Sequence, residues 1–495
     1  MTAAPGTGMV RGPDTAQERT HTGLALLVIM IGVLMAAVDT TIVILALPEL
    51  ERSLHVSLSG VVWVIIGYLL VITLLATQVG RLGDMFGRVR MYEAGFVVFI
   101  VGSALCAVAT NEATIIGFRV LQGVGGALIT ANSGAVIADT FPPERRGRAY
   151  GFNAVGWSVG AILGILLGGM IITYVSWRWI FWINVPAGIA AFVLALRVLR
   201  DHGTRQRQPL DLWGMATLGL GVFGVLWAMT KLATTSLSGS VVGFLVGGVV
   251  MLGVFVLVER SRAAPLVDLS LFSIPTVSPT LLASLFQALA NFALLYLVIM
   301  YLQGVRDYSP LDAALILVPG YLVGGLVSPI GGRLADRVGP VWPATAGLAI
   351  QVVALLIYAS IGLTTPVWVV AVAAMVNGVG TGAFFPANTT AVMRAAPPRQ
   401  FGVASGMLRT FGNVGMVFSF AVSILVAGRA MPHREAFAIF VGTTRLTHRL
   451  AGSFTHGLQA AFYASIGFMV VAAALSASRV LRGRRTEVDP EAAQP

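Results

Sequence analysis

An aspartate and an arginine stand inside long apolar segments of this chain, where charged side chains are costly. Asp39 and Arg119 each lie several residues within such a segment. A charged side chain at the centre of a bilayer costs about 2.5–3.5 kcal/mol, so it needs a partner or a water-filled cavity. Burial favours the neutral form of a carboxyl group and a nearby arginine favours the ionised form. We therefore predict a site for a proton or cation, the alternative being a purely structural hydrogen bond between helices.

Two amides and one further arginine also fall within apolar segments. Gln287 and Asn291 are four residues apart, so on a helix they share one face. That face either lines a cavity or joins two helices by hydrogen bonds. Arg409 is expected to extend its long side chain toward the membrane surface.

The stretch "GRLGDMFGRVR", residues 80–90, places charge between two apolar segments. Its glycines favour a tight turn with an unusual backbone, and they are Gly80, Gly83 and Gly87. Asp84 is expected to stabilise a helix N-terminus, where the helix dipole is positive. Arg88 is expected to bind acidic groups or lipid phosphates. A simple cationic anchor at the membrane surface would explain the arginines, but neither Asp84 nor the glycines.

A shorter copy of this stretch, "GRLADRVG", occurs at residues 332–339 and contains Asp336 and Arg337. A second echo has nearly the same offset, because "GVG" at 123–125 recurs at 378–380. Both echoes relate segments that lie eight apolar runs apart, and an even shift preserves orientation across a membrane. We therefore predict a parallel repeat of two six-helix bundles, with two extra helices inserted between them. Substrate sites in transporters built from repeats lie near mid-membrane between the repeats.

Composition supports a membrane protein. The chain has 495 residues, of which 57% are hydrophobic and 11% are charged, whereas soluble domains carry about 25% charged residues. About 20 apolar residues span a bilayer as a helix. We count fourteen such segments, near 23–47, 60–79, 91–110, 114–138, 148–173, 178–198, 214–231, 240–258, 277–302, 312–331, 341–363, 367–393, 402–428 and 458–478. Asp39 and Arg119 fall at similar depths in their segments, which favours a direct or water-bridged contact.

Orientation and domain boundaries follow from these segments. Most of the 32 basic residues fall on one side when the N-terminus is cytoplasmic, so we expect both termini in the cytoplasm of a cell-membrane protein. Because the basic residues are scattered, nucleic acid is not an expected partner. We assign five regions: a cytoplasmic tail (1–20), the first bundle (21–200), a linker with inserted helices 7 and 8 (201–270), the second bundle (271–480) and another tail (481–495).

Regularly spaced glycines indicate close helix packing, and several absent motifs argue against an enzyme or a metal site. Four glycines spaced by four allow close helix packing, and they are Gly156, Gly160, Gly164 and Gly168. The single lysine, Lys231, is not part of a phosphate-binding loop, and the six histidines form no metal-ligand motif. We therefore expect neither an enzyme nor a bound metal or cofactor.

Taken together, these motifs resemble the major facilitator superfamily, in its fourteen-helix drug:proton antiporter branch. The segments that carry the resemblance are the 80–90 stretch and its copy, "DTTIVILALP" (39–48), "FRVLQGVGGAL" (118–128), "WRWIFWINVPAG" (177–188) and "YLQGV" (301–305). The antiporter motif of that branch has a proline where this chain has Ile165, which leaves open whether a kink forms there.

The resemblance implies an all-α transporter that exports amphipathic small molecules by alternating access, driven by the proton gradient. Asp39 and Arg119 would couple protons to substrate, with Gln287 and Asn291 near the cavity. The 80–90 stretch and its copy would latch the two halves on the cytoplasmic side. A lipid or glycolipid transporter of the same fold is one alternative, and a non-transporting scaffold or sensor is another. Expected partners are the substrate, protons and membrane lipids, and the expected state is a monomer.

Overall fold

The computed structural model describes residues 16–141, 143–201, 209–234, 237–262, 265–267, 269–396, 401–429 and 448–488. The outer parts of the two predicted tails, 1–15 and 489–495, lie outside the described residues. The first and last helices extend into the segments assigned to the tails, because polar residues that lie beyond the hydrocarbon layer can still continue a helix.

The first half contains six long helices, and a short helical turn (Trp179–Trp182) precedes the sixth. They are α1 (Ala16–Leu54), α2 (Leu58–Phe86), α3 (Arg88–Ala107), α4 (Glu112–Thr140), α5 (Pro143–Tyr174) and α6 (Asn184–Val198). Polar side chains cap two of these helices: Ser57 accepts a hydrogen bond from the Gly60 N–H, and Asn111 forms a capping box with Thr114.

Two helices follow, and six more complete the chain. The inserted pair is α7 (Leu212–Thr234) and α8 (Gly239–Ser261). The remaining helices are α9 (Val277–Met300), α10 (Pro310–Val338), α11 (Val341–Ala359), α12 (Val367–Ala395), α13 (Phe401–Arg429) and α14 (His448–Val488). A single π-helical turn, Tyr301–Val305, continues α9.

Each of the fourteen predicted segments coincides with a helix. Among the described residues, 12 helices are long and apolar enough to cross a membrane. A thirteenth is counted if the two parts of α2, Gly60–Ala76 and Gln78–Phe86, which meet at 55°, form one span. Helix α13 occupies the position of the remaining predicted segment. Only helices and closed barrels satisfy their backbone hydrogen bonds in lipid, and every regular element in the described part of the chain is helical.

The helix packing of the first half is repeated in the second. Helix α1 packs on α5, α2 on α4, α3 on α4, and α3 on α6. The same four pairings recur eight helices later, as α9 on α13, α10 on α12, α11 on α12, and α11 on α14. The motif echoes in the sequence therefore correspond to a repeated three-dimensional arrangement.

The two halves meet mainly along two helix pairs, α2 with α13 and α5 with α10. At the second pair, a Cβ atom on Gly169 would lie 2.9 Å from the Leu311 Cα, so this glycine permits close approach. Arg409 also joins the halves, because its Nη1 donates to the Thr130 carbonyl at 3.3 Å. The inserted helix α7 packs against both α2 and α13 and therefore lies beside this interface.

The glycine ladder of α5 faces α1. A Cβ atom on Gly160 would lie 2.8 Å from the Leu34 carbonyl, and one on Gly164 would lie 2.7 Å from the Val38 carbonyl. Gly168 meets Ile42 at 3.0 Å, whereas Gly156 has only ordinary contact, at 3.6 Å. The ladder thus brings α5 close to α1, the helix that carries Asp39. Ile165 is buried in the same helix, which continues unbroken past this position.

Candidate functional site

Asp39 and Arg119 are in direct contact across α1 and α4. The Arg119 Nη1 donates to the Asp39 Oδ2 at 2.7 Å and also to the Gln122 Oε1 at 2.7 Å. The Gln122 Nε2 then donates to the other carboxylate oxygen, Asp39 Oδ1, at 2.8 Å. The three side chains therefore form a closed hydrogen-bonded triangle.

This triangle is enclosed by protein. The exposed fraction of the side chains is 0% for Asp39 and 1% for Arg119. The Tyr68 ring stacks on the guanidinium at 4.2 Å, and the Arg119 Nε donates to the Val64 carbonyl at 3.1 Å. Both contacts come from α2. Three helices thus hold the arginine, and in the described part of the chain its charge is balanced by a single carboxylate.

The arrangement can convert the binding of a proton into a change of contacts. While Asp39 is ionised, it neutralises Arg119 and accepts two hydrogen bonds. A proton on Asp39 would cancel that attraction and leave Arg119 as a buried cation without a counter-charge, which is strongly unfavourable. The helices would then have to move until the arginine met water or another anion.

Gln122 and Tyr68 are members of the site that the sequence analysis missed. Gln122 stands three residues after Arg119 and therefore lies on the same helix face, within "FRVLQGVGGAL". That spacing is a signal that could have identified it. Tyr68 has no comparable signal, because its place over the guanidinium depends on how α2 packs against α4.

Gln287 and Asn291 are not part of the triangle. The Gln287 Nε2 donates to the Gln351 Oε1 at 2.9 Å, which joins α9 to α11, and the Gln287 side chain is buried. This contact matches the helix-joining alternative. Within the described part of the chain, the Asn291 Oδ1 is buried and accepts no hydrogen bond.

The internal repeat relates Asn291 to the triangle. The offset that carries Gly80 onto Gly332 also carries Asp39 onto Asn291, and the second echo's offset carries Gln122 onto Asn377. The Asn377 Oδ1 is likewise buried without a donor among the described residues. The second half thus has neutral amides where the first half has a carboxylate and its glutamine partner.

The short turn predicted across residues 80–90 is confined to one residue, and the rest of the stretch is helical. Helix α2 continues to Phe86 and α3 begins at Arg88, so the only residue between them is Gly87, whose φ is 108°. Gly83 lies within α2 and makes room for Asn132, whose Oδ1 would be 2.3 Å from an added Cβ. Gly80 faces open space. A helix that extends beyond the membrane keeps its backbone hydrogen bonds, so the turn needs only one glycine.

Asp84, which was expected to stabilise a helix N-terminus, is not the acid that holds the start of α3. Asp201 occupies that place, because its Oδ1 accepts from the Val89 N–H at 2.8 Å, at the start of α3. Asp84 instead pairs with Arg88 at 2.8 Å, one helical turn away. Arg88 also binds Asp139 at 2.7 Å and so connects the turn to the end of α4. Arg88 therefore binds acidic groups, as one of its two predicted options.

In the second copy, the corresponding link pairs an acid on α10 with an arginine on α12. Asp336 lies 3.3 Å from Arg394, which stands where the repeat places Asp139 in the first copy. The pair is exposed and joins α10 to α12. Arg337 lies in the last turn of α10, and Gly339 ends that helix with φ 86°.

Replacing Gly87 with alanine is expected to destabilise the protein by about 1–3 kcal/mol, because a side chain in this backbone region is strained. The new Cβ would also lie 2.3 Å from the Asp201 Oδ2 and displace the acid that caps α3. Thermal unfolding in detergent measures the effect. Gly80→Ala is the matched control and is expected to be neutral or slightly stabilising, because Gly80 is helical and its Cβ position is empty. Equal unfolding midpoints for the two variants would contradict the assignment.

Comparisons with known proteins agree with this architecture. A family model described as Major Facilitator Superfamily matches residues 29–420. The chain is 32% identical over 412 residues to the "Tetracenomycin C resistance and export protein" of Streptomyces glaucescens, covering 82% of this chain and 76% of the relative. It is 27% identical to a riboflavin transporter of Clostridioides difficile, covering 84% and 92%.

A solved structure shows the same fold. It is a bacterial homologue of the human lysosomal transporter Spinster, in an inward-facing and occupied conformation. The TM-score is 0.67 at 18% sequence identity, and the alignment covers 94% of this chain and 98% of that one.

Proposed function

We propose that this chain, which belongs to the major facilitator superfamily, exports amphipathic organic compounds in exchange for protons. Membership of that family makes it a membrane transporter of small molecules and not an enzyme. The observation that carries this proposal is the enclosed Asp39–Arg119–Gln122 triangle. It contains one titratable carboxylate whose ionised form is balanced by one arginine. The tetracenomycin C exporter supports the assignment of export and of an organic substrate.

In the proposed cycle, Asp39 carries the proton. When the site opens to the outer side, a proton binds Asp39 and releases Arg119, and the loss of the ion pair drives the helices toward the inward-facing state. Substrate from the cytoplasm then favours release of the proton inward and re-formation of the pair. The half-buried amides of the second half, Asn291 and Asn377, supply hydrogen-bond acceptors for uncharged polar atoms of the substrate.

The predicted latch between the two halves stays a prediction, because the ionic links described at the ends of α2 and α10 each lie within one half. Arg88 with Asp84 and Asp139 ties α2 and α3 to α4, and Asp336 with Arg394 ties α10 to α12. These links keep each half rigid while the halves move against one another. The bias of Lys and Arg supports placing both links, and both chain termini, in the cytoplasm.

The test is export measured with and without a proton gradient. Cells that express the protein are expected to accumulate less tetracenomycin C than cells that lack it, and a protonophore should abolish the difference. In inverted vesicles, added substrate should release protons from the lumen. Riboflavin belongs in the same panel because of the second relative. Export that persists after the gradient is collapsed would contradict proton coupling, and absence of flux for every compound would contradict the export function.

A further inference from the structure

Two carboxylates lie buried where the inserted helices begin and end. Asp211 directly precedes α7, and Glu259 lies in the last turn of α8. Their exposed fractions are 4% and 2%. The two acids thus join the ends of the inserted hairpin, far along the chain from Asp39, and the transport cycle described above does not use them.

Each carboxylate uses one oxygen to hold a backbone N–H. The Asp211 Oδ1 accepts from Gly214 at 2.8 Å, and the Glu259 Oε2 accepts from Val267 at 3.0 Å. The two remaining oxygens, Asp211 Oδ2 and Glu259 Oε1, are buried and have no hydrogen-bond donor within the described part of the chain.

These two oxygens are close neighbours. Each lies 2.4 Å from one and the same point, the position that a Cβ atom on Gly214 would take. The absence of a side chain at Gly214 is therefore what allows the carboxyl groups to approach. If both carboxyl groups were ionised, two negatively charged oxygens that can only accept hydrogen bonds would lie next to each other.

Among the described residues, the groups around the pair supply positive charge but no hydrogen-bond donor to these two oxygens. Arg81 of α2 donates to the carbonyl of Pro209 at 3.0 Å and to that of Pro265 at 2.7 Å. Along the chain, Pro209 precedes Asp211 and Pro265 follows Glu259. After α8, the Arg262 Nε lies 3.8 Å from the Asp211 Oδ1. Gln78 of α2 accepts from the Asp211 N–H at 3.3 Å, and its own Nε2 is buried without an acceptor among the described residues.

One proton shared by the two carboxyl groups would remove this unfavourable contact between acceptors. A buried acceptor without a partner costs about 1–3 kcal/mol, and here two such acceptors are close neighbours. When two carboxyl groups share a site, one of them keeps its proton at a pH well above that at which an isolated carboxylic acid ionises, and the proton belongs to the pair. The protonated group becomes the missing donor, and one hydrogen bond then satisfies both oxygens.

We propose that Asp211 and Glu259 hold one proton between them and form a second proton-binding site, at the end of the inserted hairpin and on the part of α2 that carries Arg81. Release of this proton adds a second negative charge beside Arg81 and Arg262 and opposes the contact between the two acids. The contact between α7, α8 and α2 therefore depends on pH. This site is independent of the role assigned to Asp39.

Single amide variants test the shared proton directly. In Glu259→Gln, the amide oxygen can keep the contact with Val267, while the amide N–H replaces the shared proton and donates to Asp211. In Asp211→Asn, the amide oxygen can keep the contact with Gly214, while the amide N–H donates to Glu259. Each single variant is expected to retain the wild-type unfolding midpoint under mildly acidic conditions and to keep it as pH rises, whereas the wild-type midpoint falls. The infrared band of a protonated carboxyl group should disappear in both variants.

The double variant Asp211→Asn/Glu259→Gln distinguishes a shared proton from a generic charge effect. It places two NH₂ groups next to each other, so its unfolding midpoint is expected below that of either single variant. Glu112→Gln is the control acid, since its two oxygens both accept hydrogen bonds from Ser57, and it should keep the carboxyl band. A wild-type spectrum without such a band, or single variants destabilised at every pH, would overturn the proposal. The wild-type spectrum decides even if a variant does not fold.

Discussion

Asp39→Asn is expected to reduce proton-coupled export to the level of vesicles without the protein. Asparagine can still accept a hydrogen bond from Gln122, but it neither binds a proton nor balances the charge of Arg119. Removing one partner of a buried ion pair costs about 3–5 kcal/mol, so this variant should also unfold at a lower temperature. Substrate-induced proton release from inverted vesicles measures the first effect, and thermal unfolding in detergent measures the second.

A paired variant separates coupling from folding. Asp39→Asn/Arg119→Gln removes both charges, so no unbalanced cation remains at this site and much of the lost stability should return. Proton release should nevertheless stay absent, because no titratable group occupies the site. If the double variant recovered coupled export, or if Asp39→Asn alone retained it, the carboxylate of Asp39 would not be the coupling site.

Gly164→Ala is expected to cause the largest loss of stability among single-methyl additions on α5. The added Cβ would collide with the Thr41 hydroxyl and would lie 2.7 Å from the Val38 carbonyl, which belongs to the backbone and cannot rotate away. Overpacking of this kind costs about 1–3 kcal/mol. Because Val38 and Thr41 flank Asp39 on α1, the displacement should also disturb the Asp39–Arg119 contact and lower the rate of export.

Gly156→Ala is the matched control on the same helix and the same face. Among the described residues its new Cβ would meet only Met30, with the carbonyl oxygen at 3.6 Å and the Cα at 3.9 Å, which are ordinary contacts. Its unfolding temperature and export rate should therefore match those of the wild type within the error of measurement. Similar losses in the two variants would mean that α1 and α5 are not held together by this ladder.

Much of the fold was readable from the sequence because insertion into a membrane depends on local composition. About 20 apolar residues in a row define a span wherever they occur, and the echoes between Gly80 and Gly332 and between the two "GVG" segments revealed the repeat. A charge inside such a run is equally conspicuous, which is why Asp39 and Arg119 could be selected without a structure. Their similar depth even favoured the contact that the structure contains.

The faces of the helices could not be read in this way. A helix that is apolar all round has no polar side to indicate which residues point inward. The partners Gln122 and Tyr68 therefore came only from the packing of α2 and α4, and the glycine ladder gave no indication that α1 was its neighbour. Motif spacing likewise placed a short turn across residues 80–90, whereas backbone hydrogen bonding continues α2 to Phe86.

The sequence by itself thus determined the helical spans, their repeat and the residues whose charge is costly in lipid, because these follow from composition along the chain. Apart from the Asp39–Arg119 contact, the tertiary structure alone decided which side chains meet. Asp201 rather than Asp84 holds the start of α3, and Asp211 lies close to Glu259, because each contact joins segments separated along the chain. Such contacts depend on the rotation and crossing of packed helices, which no local pattern of residues encodes.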